Sequence, residues 1–154
     1  MKISFSLRGK EKELLALHDT GNTLRDPVRG QPVLVTEQAA LHGMWDQATD
    51  EILQEDCSSE VKIARLHDAG LGGGFTLLPF RSVGTRSGLL LAFRTDWIRV
   101  GRAEYRGAWI AMVEHSVSDG GAYQALWGGV KKGEEYSEVN QAPESMDSQT
   151  LQAG

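Results

Sequence analysis

The stretch Leu14-Leu15-Ala16-Leu17-His18-Asp19-Thr20-Gly21-Asn22 decides how this chain reads. An apolar run of strand length ends in a sharp polar turn that opens on an aspartate and has glycine two residues later. Upstream, Ile3, Phe5 and Leu7 alternate with Ser4, Ser6 and Arg8, the pattern of a half-buried strand. Gly9-Lys10-Glu11-Lys12 supplies a polar reversal. The two apolar segments therefore predict a β-hairpin whose second, buried strand delivers Asp19.

Beyond the turn come Leu24, the turn-rich Asp26-Pro27-Val28-Arg29-Gly30 and a strand over Pro32-Val33-Leu34-Val35. From Thr36 to about Cys57 the apolar residues Ala39, Ala40, Leu41, Met44, Trp45, Ile52 and Leu53 recur at helical spacing, predicting one or two short helices. Val61-Lys62-Ile63-Ala64 reads as a short strand, followed by the glycine-rich loop Gly70 to Gly74. Thr76-Leu77-Leu78-Pro79-Phe80 and Leu89-Leu90-Leu91-Ala92-Phe93 face each other across Val83 to Gly88, whose two glycines suit a tight reversal. Trp97 to Val100 and Ala108 to Val113 add strands, joined by a hairpin-length segment around Glu104 to Gly107. Ala122 to Trp127 reads as a last short helix. Many short strands with frequent turns predict a mainly β, barrel-like domain over residues 1–130. The polar Ser/Gln/Glu-rich segment 131–154 is expected to be a disordered tail.

At 154 residues the chain suits one domain with a core, and it is short for two lobes. A net charge of -5 gives no sign of a phosphate-backbone binder, so no nucleic-acid partner is expected. Cys57 is the sole cysteine, which excludes an internal disulfide and points to a reducing compartment. No apolar run approaches a membrane span, and the chain as given is expected to be soluble. His18, His42, His67 and His115 lack metal-ligand spacing, and neither metal nor cofactor is expected. The Gly70–Gly74 loop lacks the Gly-Lys-Ser/Thr of a phosphate cradle.

Asp19-Thr20-Gly21 has the parts of half an aspartic peptidase site. That chemistry needs two carboxylates sharing one proton, one activating a water and the other donating to the scissile carbonyl. Like charges at contact distance cannot both ionise cheaply, so the pair titrates as a unit. Glycine at the third position lets the backbone pass close to its partner, and a hydroxyl at the second can bond across the pair. By itself the tripeptide is equally compatible with an ordinary turn. The strand before it, the strand after it and the later glycine-tipped hairpin follow the order of a retropepsin-like fold. His67-Asp68-Ala69-Gly70 echoes the motif without its hydroxyl, and Asp68 reads as a loop residue. The second carboxylate must then come from another copy of the chain, across a twofold axis.

Three blocks, in order, resemble the sporulation sigma-E factor-processing peptidase family, a membrane-associated aspartic protease family. They are His18-Asp19-Thr20-Gly21-Asn22-Thr23-Leu24-Arg25-Asp26-Pro27, the segment Leu77 to Gly84 running on to Gly88 to Phe93, and Tyr123-Gln124-Ala125-Leu126. The resemblance spans roughly residues 1–130. It implies a retropepsin-like closed barrel, catalysis by Asp19 with Thr20 and Gly21 shaping the turn, and a homodimer. It further implies removal of the pro-segment of a sigma factor precursor in the mother cell and dependence on a forespore-derived activating protein. Family members sit on the cytoplasmic face of the membrane through an N-terminal membrane domain, which this chain is expected to lack. The hairpin from Leu77 to Phe93 corresponds to a flap, with substrate-binding residues Val83, Gly84 and Gly88 at its tip; the Gly70–Gly74 loop is the second candidate for that tip. A catalytically silent retropepsin-like module for dimerisation or peptide binding is the alternative of another class.

Overall fold

The computed structural model describes residues 1–80 and 88–129. Val83 and Gly84 of the expected flap tip, and the tail expected over 131–154, lie outside the described residues. Strands β1 (Lys2–Leu7) and β2 (Lys10–His18) form the expected opening hairpin, with Leu7 opposite Lys10. The reversal is tighter than Gly9 to Lys12: Arg8 and Gly9 alone make it, with φ of 51° and 83°. Left-handed backbone at both central residues follows the right-handed twist of the flanking strands. Strand β2 is buried on one face only, since Leu14 and Ala16 enter the core while Leu15 and Leu17 are over 40% exposed.

Strand β3 (Leu34–Glu37) starts two residues later than expected, because Pro32 instead bridges back to Arg25. A 3-10 turn (Gln38–Leu41) and helix α1 (Gln47–Leu53) fill the region expected to be helical. The expected strand at Val61–Ala64 is instead part of helix α2 (Ser59–Asp68). Ser58 caps it through its hydroxyl, which accepts from Val61 N at 3.2 Å, and Lys62 and Leu66, one turn apart, are the buried face. A cap and an i, i+4 buried pair outweigh the weak strand preference of two β-branched residues. Asp68 closes that helix rather than sitting in a loop.

The hairpin of β4 (Phe75–Phe80) and β5 (Gly88–Arg94) pairs as expected, Leu78 opposite Leu90 and Phe80 opposite Gly88. Strand β6 (Trp97–Val100) is followed by β7 (Ala103–Arg106), a strand where only a connection was expected, and then by β8 (Trp109–Val113). The segment expected to end in a helix instead forms strand β9 (Ala125–Trp127), with Ala125 and Trp127 buried.

The strands make one sheet in the order β4-β5-β8-β3-β9-β2-β1-β6-β7. Strand β2 is its corner, pairing with β1 over Lys10 to Leu15 and with β9 over Ala16 to His18. The sheet curls there into a half-barrel, so that Phe5 of β1 meets Phe93 of β5 with ring centroids 6.1 Å apart. Trp45 closes on Phe93 edge-on at 4.8 Å, and α1 and α2 contribute Ile52, Leu53 and Leu66 to the same core. Full burial of each large side chain there stabilises the fold by about 1.5–3 kcal/mol. A second apolar cluster (Val33, Val35, Leu78, Ala92, Ala111, Val113) lies apart from that core. Val35 stands opposite both Leu126 and Ala111, and Leu126 opposite Leu17, so this row runs across the sheet toward β2. Among the described residues no helix is long and apolar enough to cross a membrane.

Candidate active site

Asp19 stands at the end of β2, half-buried, and its own backbone N–H donates to Trp127 O of β9 at 2.8 Å. Its carboxylate Oδ1 accepts from Gly21 N at 2.9 Å. A side chain at position 21 would place a Cβ 3.2 Å from that same oxygen, so glycine keeps this close turn unstrained. Asn22 N closes the turn onto Asp19 O at 3.0 Å. Thr20 is exposed at the apex.

Strands β2 and β3, which the turn connects, are not neighbours. β9 lies between them, parallel to β2 and antiparallel to β3. This placement gives the turn a floor from the far end of the chain. Below the turn, Asn22 Nδ2 donates to Leu126 O at 3.1 Å and to Val33 O at 3.4 Å, while Asn22 Oδ1 accepts from Leu24 N at 3.2 Å. Gly128 packs against the Asn22 carbonyl so closely that a Cβ there would be 2.9 Å from its carbon and nearer still to its oxygen. His18 Nε2 donates to Gly129 O at 2.6 Å, which holds the imidazole half-buried and fixes the proton on Nε2.

A groove of about 810 Å³ runs past this turn. Asp19, Gly21 and Asn22 line it together with Pro79, Phe80, Gly88, Leu89 and Leu90, from the ends of β4 and β5 that adjoin residues 81–87. Its apolar lining comes from Leu24, Val35, Val113, Val117 and Leu126, with the cations of Arg25 and the ring of His115 at its polar positions. Burial lowers the Arg25 pKa from its ordinary value, with Tyr105 opposing the shift, and the guanidinium stays charged. Apolar walls with a few polar groups beside a carboxylate suit an extended peptide.

Of the residues singled out from sequence, Asp19, Gly21 and Gly88 border one groove. Thr20 stands next to it, and Asp68 is exposed at the end of α2. Gly72 of the glycine-rich loop is buried against the His67 ring, where a Cβ would lie 2.6 Å from Nδ1; that loop is a packed connection to β4. Sequence reasoning gave no role to Asn22, Gly128 or Arg25. The Asn-Thr-Leu sequence after the turn and the Gly128-Gly129 pair were the available signals.

The family model described as Sporulation factor SpoIIGA, of peptidase type U4, matches residues 1–128. The chain belongs to this family. A relative from Bacillus thuringiensis subsp. kurstaki, named as a sporulation sigma factor-processing peptidase, is 32% identical over 101 residues, covering 65% of this chain and 61% of the relative. Another from Clostridium acetobutylicum, named as a sporulation sigma-E factor-processing peptidase, is 27% identical over 129 residues, covering 81% of this chain and 39% of the relative. The chain thus spans about two-fifths to three-fifths of the lengths of these relatives. No solved structure matches it.

Proposed function

We propose that this chain is the peptidase portion of an aspartic endopeptidase that removes the pro-segment of a sporulation sigma factor precursor. The names of its relatives support the substrate, and the peptidase family supports the reaction class. One observation carries the chemistry: a single groove is lined both by the Asp19 turn and by the end of a β-hairpin next to its reversal. A hairpin in that position serves as a flap, closing over a bound peptide and excluding water. Residues 1–130 are read as one retropepsin-like domain, for which the curled sheet and the β2–β9–β3 floor under the turn are the supporting features.

A single chain brings one such aspartate, so the working site is a homodimer with Asp19 of each copy across the twofold axis. One carboxylate of the pair is ionised and the other protonated. The ionised carboxylate takes a proton from a water between them, and the water oxygen bonds to the scissile carbonyl carbon. The protonated carboxylate gives its proton to the carbonyl oxygen, forming a neutral gem-diol. Proton transfer to the peptide nitrogen then lets the C–N bond break, and the pair returns to its shared-proton state. The membrane attachment and the forespore-derived activating protein implied by the resemblance belong to the same reading of the whole protein.

The test is cleavage of the sigma factor precursor by the full-length protein, followed by gel mobility. Asp19→Asn is expected to abolish processing while leaving the melting temperature within a few degrees. Excess Asp19→Asn chain mixed with wild type is expected to lower processing further, because mixed pairs hold one carboxylate. Normal processing by Asp19→Asn refutes the assignment, and a mixture that follows the wild-type amount alone refutes the shared site.

A further inference from the structure

We propose that Asn22 is a positioning residue whose side-chain amide fixes the aim of the Asp19 carboxylate. This rests on the reading of Asp19 as the catalytic carboxylate. The paired stretch of β3 and β9 is only two residues long, Val35 opposite Leu126 and Thr36 opposite Ala125. At its Asp19 end the strands part, and there the Asn22 amide bonds a carbonyl on each side, Leu126 O and Val33 O. Its oxygen meanwhile accepts Leu24 N from the chain leaving the turn. Val33 N already donates to Leu24 O at 3.2 Å, so what this one planar group adds is the tie that holds that pair of segments to Leu126 of β9.

The geometry demands asparagine in particular. Two donors must face two carbonyls while an acceptor faces an N–H, and only a carboxamide offers that set on so short a stem. Aspartate would turn a carboxylate oxygen toward two carbonyl oxygens. Alanine would leave two half-buried carbonyls and an N–H short of a partner, at a cost of about 1–3 kcal/mol for each group that water does not reach.

The link to Asp19 is short. Asn22 N bonds Asp19 O, Gly21 N bonds Asp19 Oδ1, and Gly128 blocks movement of the Asn22 carbonyl toward β9. With both its backbone and side chain held, Asn22 leaves the turn no freedom to pivot on β9. A shared proton needs the two carboxylates within hydrogen-bond reach, so a small rotation of the turn in each copy separates them. Misplacement by about 1 Å costs on the order of 100-fold in rate.

Asn22→Asp and Asn22→Ser in the full-length protein test this with the sigma factor precursor as substrate. Both variants are expected to stay folded at the assay temperature. For each, kcat falls about 10- to 100-fold with KM within about twofold, and the pH–rate profile shifts because the environment of Asp19 has changed. Amide hydrogen exchange at Gly21 and Leu24 is expected to quicken while β1 and β6 stay protected, which separates loosening of the turn from loss of the fold. Wild-type kcat in either folded variant overturns the proposal, as does unchanged exchange at Gly21 and Leu24. If Asp19→Asn is inactive and the Asn22 variants are fully active, this inference alone fails. If Asp19→Asn itself cleaves, the reading of Asp19 fails and this inference falls with it.

Discussion

Gly128→Ala is expected to be among the most damaging single-methyl additions in this chain. The new Cβ would sit 2.9 Å from the Asn22 carbonyl carbon and 3.1 Å from its Cβ, with the carbonyl oxygen closer again. Carbon atoms settle at about 3.5–4.0 Å, so relief needs a displacement on the order of 1 Å. Neither side yields easily. Asn22 is held by its own amide bonds, and Gly128 follows Trp127, which is fully buried. Overpacking costs about 1–3 kcal/mol, and a clash between two anchored backbones falls at the upper end. A loss of about 3 kcal/mol lowers Tm by roughly 8–15 °C for a domain of this size. Gly73→Ala is the matched control, because a Cβ there meets nothing within 4 Å and its φ is not in the left-handed region. That change is expected to be neutral or stabilising by up to about 1 kcal/mol. Urea denaturation of both variants, compared by midpoint at constant m-value, measures the difference. A Gly128→Ala protein within about 2 °C of wild type, or one that loses no more than Gly73→Ala, refutes the reasoning that the turn is clamped on β9.

Phe93→Ala removes the ring that joins Phe5 and Trp45 across the curl and is expected to cost about 3–5 kcal/mol in urea denaturation; a loss below about 1 kcal/mol would show that the two halves do not share one core. Lys62 is almost fully buried and pairs with Glu114, whose side chain is 61% exposed. Glu114→Ala, which strands the ammonium, is expected to cost about 1–3 kcal/mol, and Lys62→Met to stay within about 1 kcal/mol of wild type; the reverse order of midpoints would refute this account. Asp46 caps α1, and hydrogen bonds from Thr49 hold its pKa below the ordinary carboxylate value. A depressed folded pKa stabilises above the unfolded value near about 3.9 and loses that stabilisation as pH falls through the folded one. Asp46→Asn is therefore expected to flatten the stability loss below about pH 4, read as Tm against pH; an unchanged slope would exclude Asp46 as a contributor.

The Asp19 turn was legible because its signals are local. A polar aspartate directly after an apolar strand, with glycine two positions on, restricts the backbone within a few residues. The same holds for both hairpins, whose apolar runs and intervening glycines lie side by side in sequence. Val61 to Ala64 misled because four residues with two β-branched members carry little periodicity, while the cap at Ser58 and the burial of Lys62 and Leu66 extend over a longer window. Leu14 to Leu17 looked buried on both faces, but a strand in a curled sheet buries Leu14 and Ala16 and leaves Leu15 and Leu17 partly in water.

From sequence alone came the paired strands, the bend that presents Asp19, and the three blocks that resemble a peptidase family. Those features follow from side-chain alternation and from turn chemistry, which act between near neighbours. Tertiary structure decided that Ala125–Trp127 is a strand, that it enters between β2 and β3, and that the reversal end of the β4–β5 hairpin shares one groove with Asp19. A segment of three residues has no periodicity of its own to read. Its conformation is set by backbone hydrogen bonds to partners about a hundred residues away, and those partners exist only after the sheet has curled.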